Sequence, residues 1–302
     1  MKNTFKTVVM LALLQLANTN VKAQAIPDST MQKIDEFRVF YETLGKVYPP
    51  DSTVSINETV IAGVKSYWLN KELLNKKNLI VYLHGGVYTY GNFNTYHAML
   101  SHLAKSFHAP ILYIEYSLSP EHPYPTANNE IFNVYQELQR KFKGSEITLM
   151  GDSAGGGLAI ALVGEVQEAK VPMPASLVLI SPWIDLKCIN DSYESKKALD
   201  PILSKDFLYN HALMYSSNSI KEADPSELKF KKFPPVFLLV GTDEVLNDDS
   251  KNFYAFIKPI QKNSKLKEYD GQKHVWLFSH IDSVKSRESL NDIKEFILAS
   301  NK

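Results

Sequence analysis

The chain has 302 residues, 44% of them hydrophobic and 22% charged, enough to fill the core of one large domain or two small ones. Its 33 basic and 33 acidic side chains cancel, and no long basic run occurs, which argues against nucleic acid as a partner. Its single cysteine, Cys188, excludes an intrachain disulfide and reads as a small structural residue.

In chain order, Lys2 and Lys6 precede an apolar run, Thr7–Ala17, followed by Ala23, Gln24 and Ala25. A charged start, a short apolar stretch and an A-x-A-like exit predict a secretory signal peptide over residues 1–23, with cleavage at 25 as the alternative. The run falls short of the roughly 20 residues a membrane span needs. The mature chain is therefore expected to be secreted or periplasmic, with no stable membrane span. Next comes an aromatic-rich, helix-like stretch, KIDEFRVFYETLGKVY, ending at Pro49-Pro50. Short, continuous apolar runs follow at Leu79–Gly85, Pro110–Tyr116, Ile147–Asp152, Ser176–Trp183 and Val236–Gly241, with KLKEYD after them. Such runs suit strands covered on both faces. Helix-like segments lie between them: NTYHAMLSHLAKSF, NNEIFNVYQELQRKF, GLAIALVGEVQEA and SKNFYAFIKPIQK. The alternation predicts an α/β fold, a mostly parallel sheet with helices on both sides, in a single domain spanning residues 26–302. One interval breaks it: about fifty residues after Trp183 carry no strand signal and include the helix-like KALDPILSKDFLYNHALMYSS. Segments 28–50 and 187–230 are expected to form a cap over the ligand edge of the sheet; a packed surface excursion is the alternative.

GDSAGGGLAI places Ser153 where a strand gives way to a helix. A sharp turn there holds a side chain proud of the sheet, and small residues two before and two after, Gly151 and Gly155, keep the backbone clear. The helix N-terminus favours developing negative charge. A serine that merely caps a glycine-rich turn would leave the same pattern. GDSAGG lacks both the lysine of a phosphate loop and the spacing of a dinucleotide fingerprint. LHGGVYTYG, His84–Gly91, ends the first strong strand. Its glycines could bring backbone N–H groups to an oxyanion, or simply turn around a bonded histidine. A nucleophilic serine needs a base, and the base an acid. His274 follows the last strand candidate, whereas the other histidines lie in the glycine loop or in helix-like and connecting segments. Chain order Ser, acid, His puts the acid in TDEVLNDD, where Asp243, Glu244, Asp248 and Asp249 are all candidates.

Together, HGGVYTYG, YSLSPEHPYPT, GDSAGGGLA, SPWIDL and PPVFLLVGTDEVLNDDS with GQKHVW resemble the hormone-sensitive-lipase-like branch of the α/β-hydrolase superfamily, which includes bacterial acetyl esterases and arylacetamide deacetylase-like enzymes. The resemblance runs from about Leu79 to Phe278. It implies a helical cap, Ser153 as nucleophile and His274 as base. It also implies Glu244 as acid, with Asp243 the fallback and Asp248 holding the loop. Oxyanion donors would be Gly85, Gly86 and Ala154. Val87 replaces the family's third glycine and could serve if its φ is negative. His84, Gly151, Asp152 and Gly155 support the motifs. The implied activity is hydrolysis of a short-acyl, acetyl-type ester through an acyl-enzyme, without metal or organic cofactor, by a monomer or homodimer. An amidase, formamidase or lactonase would use the same triad. A non-catalytic binding protein on this scaffold would be expected to lack the histidine.

Overall fold

The protein is described from a computed structural model covering residues 27–74, 78–142 and 146–300. The expected signal peptide lies outside these residues. Eight strands, β1 Ile56–Ile61, β2 Val64–Leu69, β3 Asn78–Leu83, β4 Ile111–Ile114, β5 Glu146–Asp152, β6 Ser176–Ile180, β7 Val236–Gly241 and β8 Lys265–Tyr269, form one sheet. Their order is β1-β2-β4-β3-β5-β6-β7-β8. β1 and β2 join it antiparallel, and every pairing from β4 to β8 is parallel. The helices are α1 Asp28–Leu44, α2 Phe93–Phe107, α3 Thr126–Lys141, α4 Ala154–Ala169, α5 Ser192–Ser195, α6 Lys205–Tyr215, α7 Ile220–Ala223, α8 Asn247–Ile257, α9 Trp276–Ser279 and α10 Val284–Ser300.

The continuous apolar strands have two buried faces because successive side chains point to opposite sides. Val81, Leu83, Leu112, Leu149 and Leu179 pack with α1, α3 and α4. Their neighbours Ile80, Tyr82, Ile111, Tyr113 and Met150 pack with α2 and α10 on the other side. One sequence period thus divides the core into two layers. The β1–β2 hairpin was not anticipated. It turns at Ala62 (φ +50°) and Gly63 (φ +84°), the left-handed pair that suits a two-residue hairpin. The helix expected across residues 197–217 begins only at Lys205, after Pro201, where the Ser204 side chain accepts from Phe207 N.

Both segments expected to form a cap meet the glycine loop. From α1, Arg38 donates through Nε to Thr89 O (3.1 Å) and through Nη2 to Ser119 O (3.1 Å), and forks onto the Glu121 carboxylate (2.6 and 2.8 Å). From α6, His211 Nε2 lies 3.0 Å from Tyr90 OH, and Tyr215 stacks on Tyr88 with ring centroids 3.8 Å apart.

Candidate functional site

Ser153 lies between the last residue of β5 and the first of α4, with φ +50° and ψ −122°, a conformation L residues rarely adopt. Its backbone is pinned on both sides. Ser153 N donates to Ile180 O (3.0 Å), and Ser153 O accepts from Trp183 N (2.9 Å) and Gly156 N (3.0 Å). The hydroxyl caps no N–H of α4, which removes the bland reading of this serine. Tight packing makes the turn possible: a Cβ at Gly155 would run into Leu83 O, and one at Gly151 would stand 2.5 Å from Gly155 O.

Register puts the other two arms on the same sheet edge. Asp152 pairs with Ile180, Ile180 with Leu239, and Gly241 with Tyr269, so the turns after β5, β6, β7 and β8 open side by side. Glu244 is fully buried in the turn after β7. Its Oε1 accepts from Gly241 N (2.5 Å) and Ser181 Oγ (2.9 Å), and Oε2 lies 3.0 Å from His274 Nδ1. Burial pulls the His274 pKa down, but the bond and charge of Glu244, with the charges of Asp200 and Asp152, outweigh it and leave the imidazole above its ordinary value. Ser153 Oγ and His274 share the rim without a hydrogen bond between them among the described residues. The neighbouring acids turn elsewhere. Asp243 pairs with Lys273 Nζ (3.0 Å), Asp248 accepts from Ser192 N (2.9 Å), and Asp249 accepts from Ile184 N, Asp185 N, Asn190 Nδ2 and Tyr193 OH.

The glycine loop differs from expectation in two respects. Gly85 N donates to Asp152 Oδ1 (3.0 Å), so this N–H braces the loop against the serine turn rather than facing an oxyanion. The Asp152 carboxylate also accepts from Tyr82 OH (2.7 Å) and Tyr96 OH (3.0 Å). Val87 has φ +50°, not the negative value set as the condition for its service, and so keeps a glycine-like backbone with a β-branched side chain. Gly86 (φ +108°) could carry no Cβ, which would overlap Tyr90 O. The N–H groups of Gly86, Val87 and Ala154 donate to no other group among the described residues. His84 is no base: burial pushes its pKa down to about 4, and the ring stacks on Tyr116 with centroids 4.2 Å apart. Its Nδ1 lies 2.7 Å from Gly85 O, so it stiffens the loop from beneath.

Two further residues emerge only from the structure. Ser181 bonds the acid, and Asp200 Oδ2 accepts from Val245 N (3.0 Å) and adds negative charge near His274. Ser181 had no signal beyond the SPWIDL landmark, and Asp200 lies outside every landmark. Cys188 is buried, with its thiol pKa pushed up by burial, as suits a packing residue. A surface cleft of about 360 Å³, lined among others by Phe237, Lys258 and Lys265, lies where β7 and β8 begin, opposite the rim. Among the described residues, no cluster of His, Cys, Asp or Glu could hold a metal ion, and no helix is long and apolar enough to cross a membrane.

Residues 80–278 match the alpha/beta hydrolase fold family. An esterase of Acinetobacter venetianus is 32% identical over 264 residues, covering 86% of this chain and 87% of that protein. An acetyl-hydrolase of Streptomyces hygroscopicus is 28% identical over 257 residues, covering 82% and 84%. The crystal structure of an esterase from the bacterial hormone-sensitive lipase family superposes with a TM-score of 0.85 at 27% identity over 98% of both chains. An esterase/lipase structure from an uncultured bacterium gives 0.82 at 29% identity, covering 97% of this chain and 98% of the other. The chain belongs to the α/β-hydrolase family, in its hormone-sensitive-lipase-like branch.

Proposed function

We propose that the protein is a serine carboxylesterase acting on short-acyl, acetyl-type esters through Ser153, His274 and Glu244. Ser153 Oγ attacks the ester carbonyl while His274 Nε2 takes its proton, the two groups closing to bonding distance around bound substrate, since such contacts are often long in the free enzyme. Glu244 holds Nδ1–H and stabilises the imidazolium. The N–H groups of Gly86 and Ala154 hold the oxyanion, with the α4 N-terminus behind it. His274 returns the proton to the departing alcohol, and water then releases the acid from the acyl-enzyme. The observation that carries this reading is the 3.0 Å contact between His274 Nδ1 and the buried Glu244, on the rim where Ser153 turns. The preference for small acyl groups draws on the relative called an acetyl-hydrolase. Phe37 and Tyr41 of α1, packed on Tyr90 of the glycine loop (ring centroids 4.7 and 5.9 Å), would wall the acyl and alcohol pockets. Export to the periplasm or medium rests on the apolar leader of residues 1–23.

S153A should abolish hydrolysis of p-nitrophenyl acetate and labelling by a fluorophosphonate probe. A profile across acyl lengths should fall steeply beyond the shortest chains. Equal rates for S153A and wild type would end the proposal, and flat rates across chain length would remove the acyl preference.

A further inference from the structure

The segment leaving β6 touches all three arms of the site. Ile180 O and Trp183 N hold the Ser153 backbone, as described. Between them, Ser181 Oγ donates its proton to Glu244 Oε1 (2.9 Å) and accepts from Val275 N (3.2 Å), the amide directly after His274. Ser181 N donates to Leu239 O (2.7 Å), so the sheet ladder sets this backbone whether or not a hydroxyl is present. Ser181 is nevertheless fully buried at φ +47°, where glycine is at ease and an L side chain is strained. If the chain trace were all that mattered here, glycine would serve better.

Resting on the esterase reading above, we propose that Ser181 is a positioning residue: its hydroxyl fixes the Glu244 carboxylate and the start of the His274 turn against each other, so that Nδ1 meets Oε2 and Nε2 faces Ser153. Without it, Oε1 keeps only Gly241 N, which belongs to the acid's own turn and moves with it. The remaining ties between the acid and base turns among the described residues are Thr242 N to Tyr269 O (3.1 Å), Gly271 N to Thr242 Oγ1 (2.9 Å), Asp243 N to Gln272 O (3.1 Å) and the Asp243–Lys273 ion pair. They join the two backbones but touch neither Oε1 nor the imidazole.

S181A and S181G separate the hydroxyl from the strain. Both should lose about 10- to 100-fold in kcat with KM within about twofold, the scale expected when a catalytic group drifts by about an ångström. S181G should melt above S181A because it fits the positive φ, yet remain as slow. The acid limb of kcat/KM should move to lower pH in both, as the grip of Glu244 on His274 slackens. Wild-type kcat in either variant, or S181G recovering the rate along with the melting temperature, would overturn the proposal. Imidazole NMR of His274, assigned with H274N, supplies a readout independent of turnover. A lower His274 pKa in S181A and S181G supports the role, and an unchanged one refutes it. Failure of the esterase reading has a different signature: S153A as active as wild type, or a wild type inert to p-nitrophenyl esters.

Discussion

Replacing Glu244 with Gln keeps the shape of the acid but turns one carboxylate oxygen into an NH₂ donor and removes the charge, and the surrounding bonds dictate how the amide must lie. Gly241 N can only donate, and it points at Oε1 from 2.5 Å. An amide NH₂ turned that way would set donor against donor in a fully buried site, a loss of about 1–3 kcal/mol. The amide oxygen therefore takes the Gly241 side and its NH₂ faces His274 Nδ1. The imidazole must then accept at Nδ1 and carry its proton on Nε2, where a base needs a lone pair. The carboxylate charge beside the imidazolium is lost as well, worth up to about 4 kcal/mol at an effective dielectric near 20. The wrong tautomer and the lost charge together should lower kcat/KM by about 10⁴, about 5 kcal/mol at 1.36 kcal/mol per tenfold. The assay is hydrolysis of p-nitrophenyl acetate by E244Q, with a thermal melt to show that the fold survives. D243N, which alters only a partly exposed pair with Lys273, should stay within about twofold of wild type. E244Q retaining more than about one hundredth of the rate, or D243N falling further than E244Q, would refute the assignment.

Two other outcomes follow from the same geometry. Because the His274 pKa is raised above the ordinary 6.5, kcat/KM should titrate on its acid side with a midpoint above that value. Stability runs the other way: the contribution of the Glu244–His274 pair is fully present below 6.5 and lost as pH rises through the folded value, and a pH series of melts beside the rate profile tests both signs. At Val87, buried with φ +50°, alanine removes two methyl groups at about 1–2 kcal/mol while keeping the backbone strain. Glycine gives up the Cβ as well but releases roughly 1–2 kcal/mol of strain, so V87G should melt above V87A, the reverse of the usual order, and equal or inverted melting points would contradict the assigned backbone.

The central strands were legible because each is short, apolar throughout and covered on both faces; Leu79–Leu83 and Val236–Gly241 announce themselves by composition alone. The hairpin was not, because only half of β1 is apolar and only Ile61 of it is buried at the edge, and only Ala62-Gly63 marks its turn. Ser153 and His274 stood out by motif and order, and the preference for Glu244 came from resemblance, since four neighbouring acids look alike as sequence. Geometry separates them: only Glu244 turns inward to the imidazole, while Asp243 reaches toward Lys273. Gly85 was misassigned because a motif counts glycines without showing which N–H is already bound, here by Asp152. Ser181 was hidden because its partners lie 63 and 94 residues away along the chain.

Arg38 reaches from the first helix to Thr89, Ser119 and Glu121, and His211 reaches Tyr90 from the far side of the chain. On the proposed esterase reading, the floor of the site belongs to the sheet, and its mouth above the glycine loop would be shaped by helices outside the sheet that carry none of the reacting groups. Directed evolution for new substrates would accordingly find its productive changes in α1 and α6, where the mouth can be recut while the chemistry beneath it is left alone.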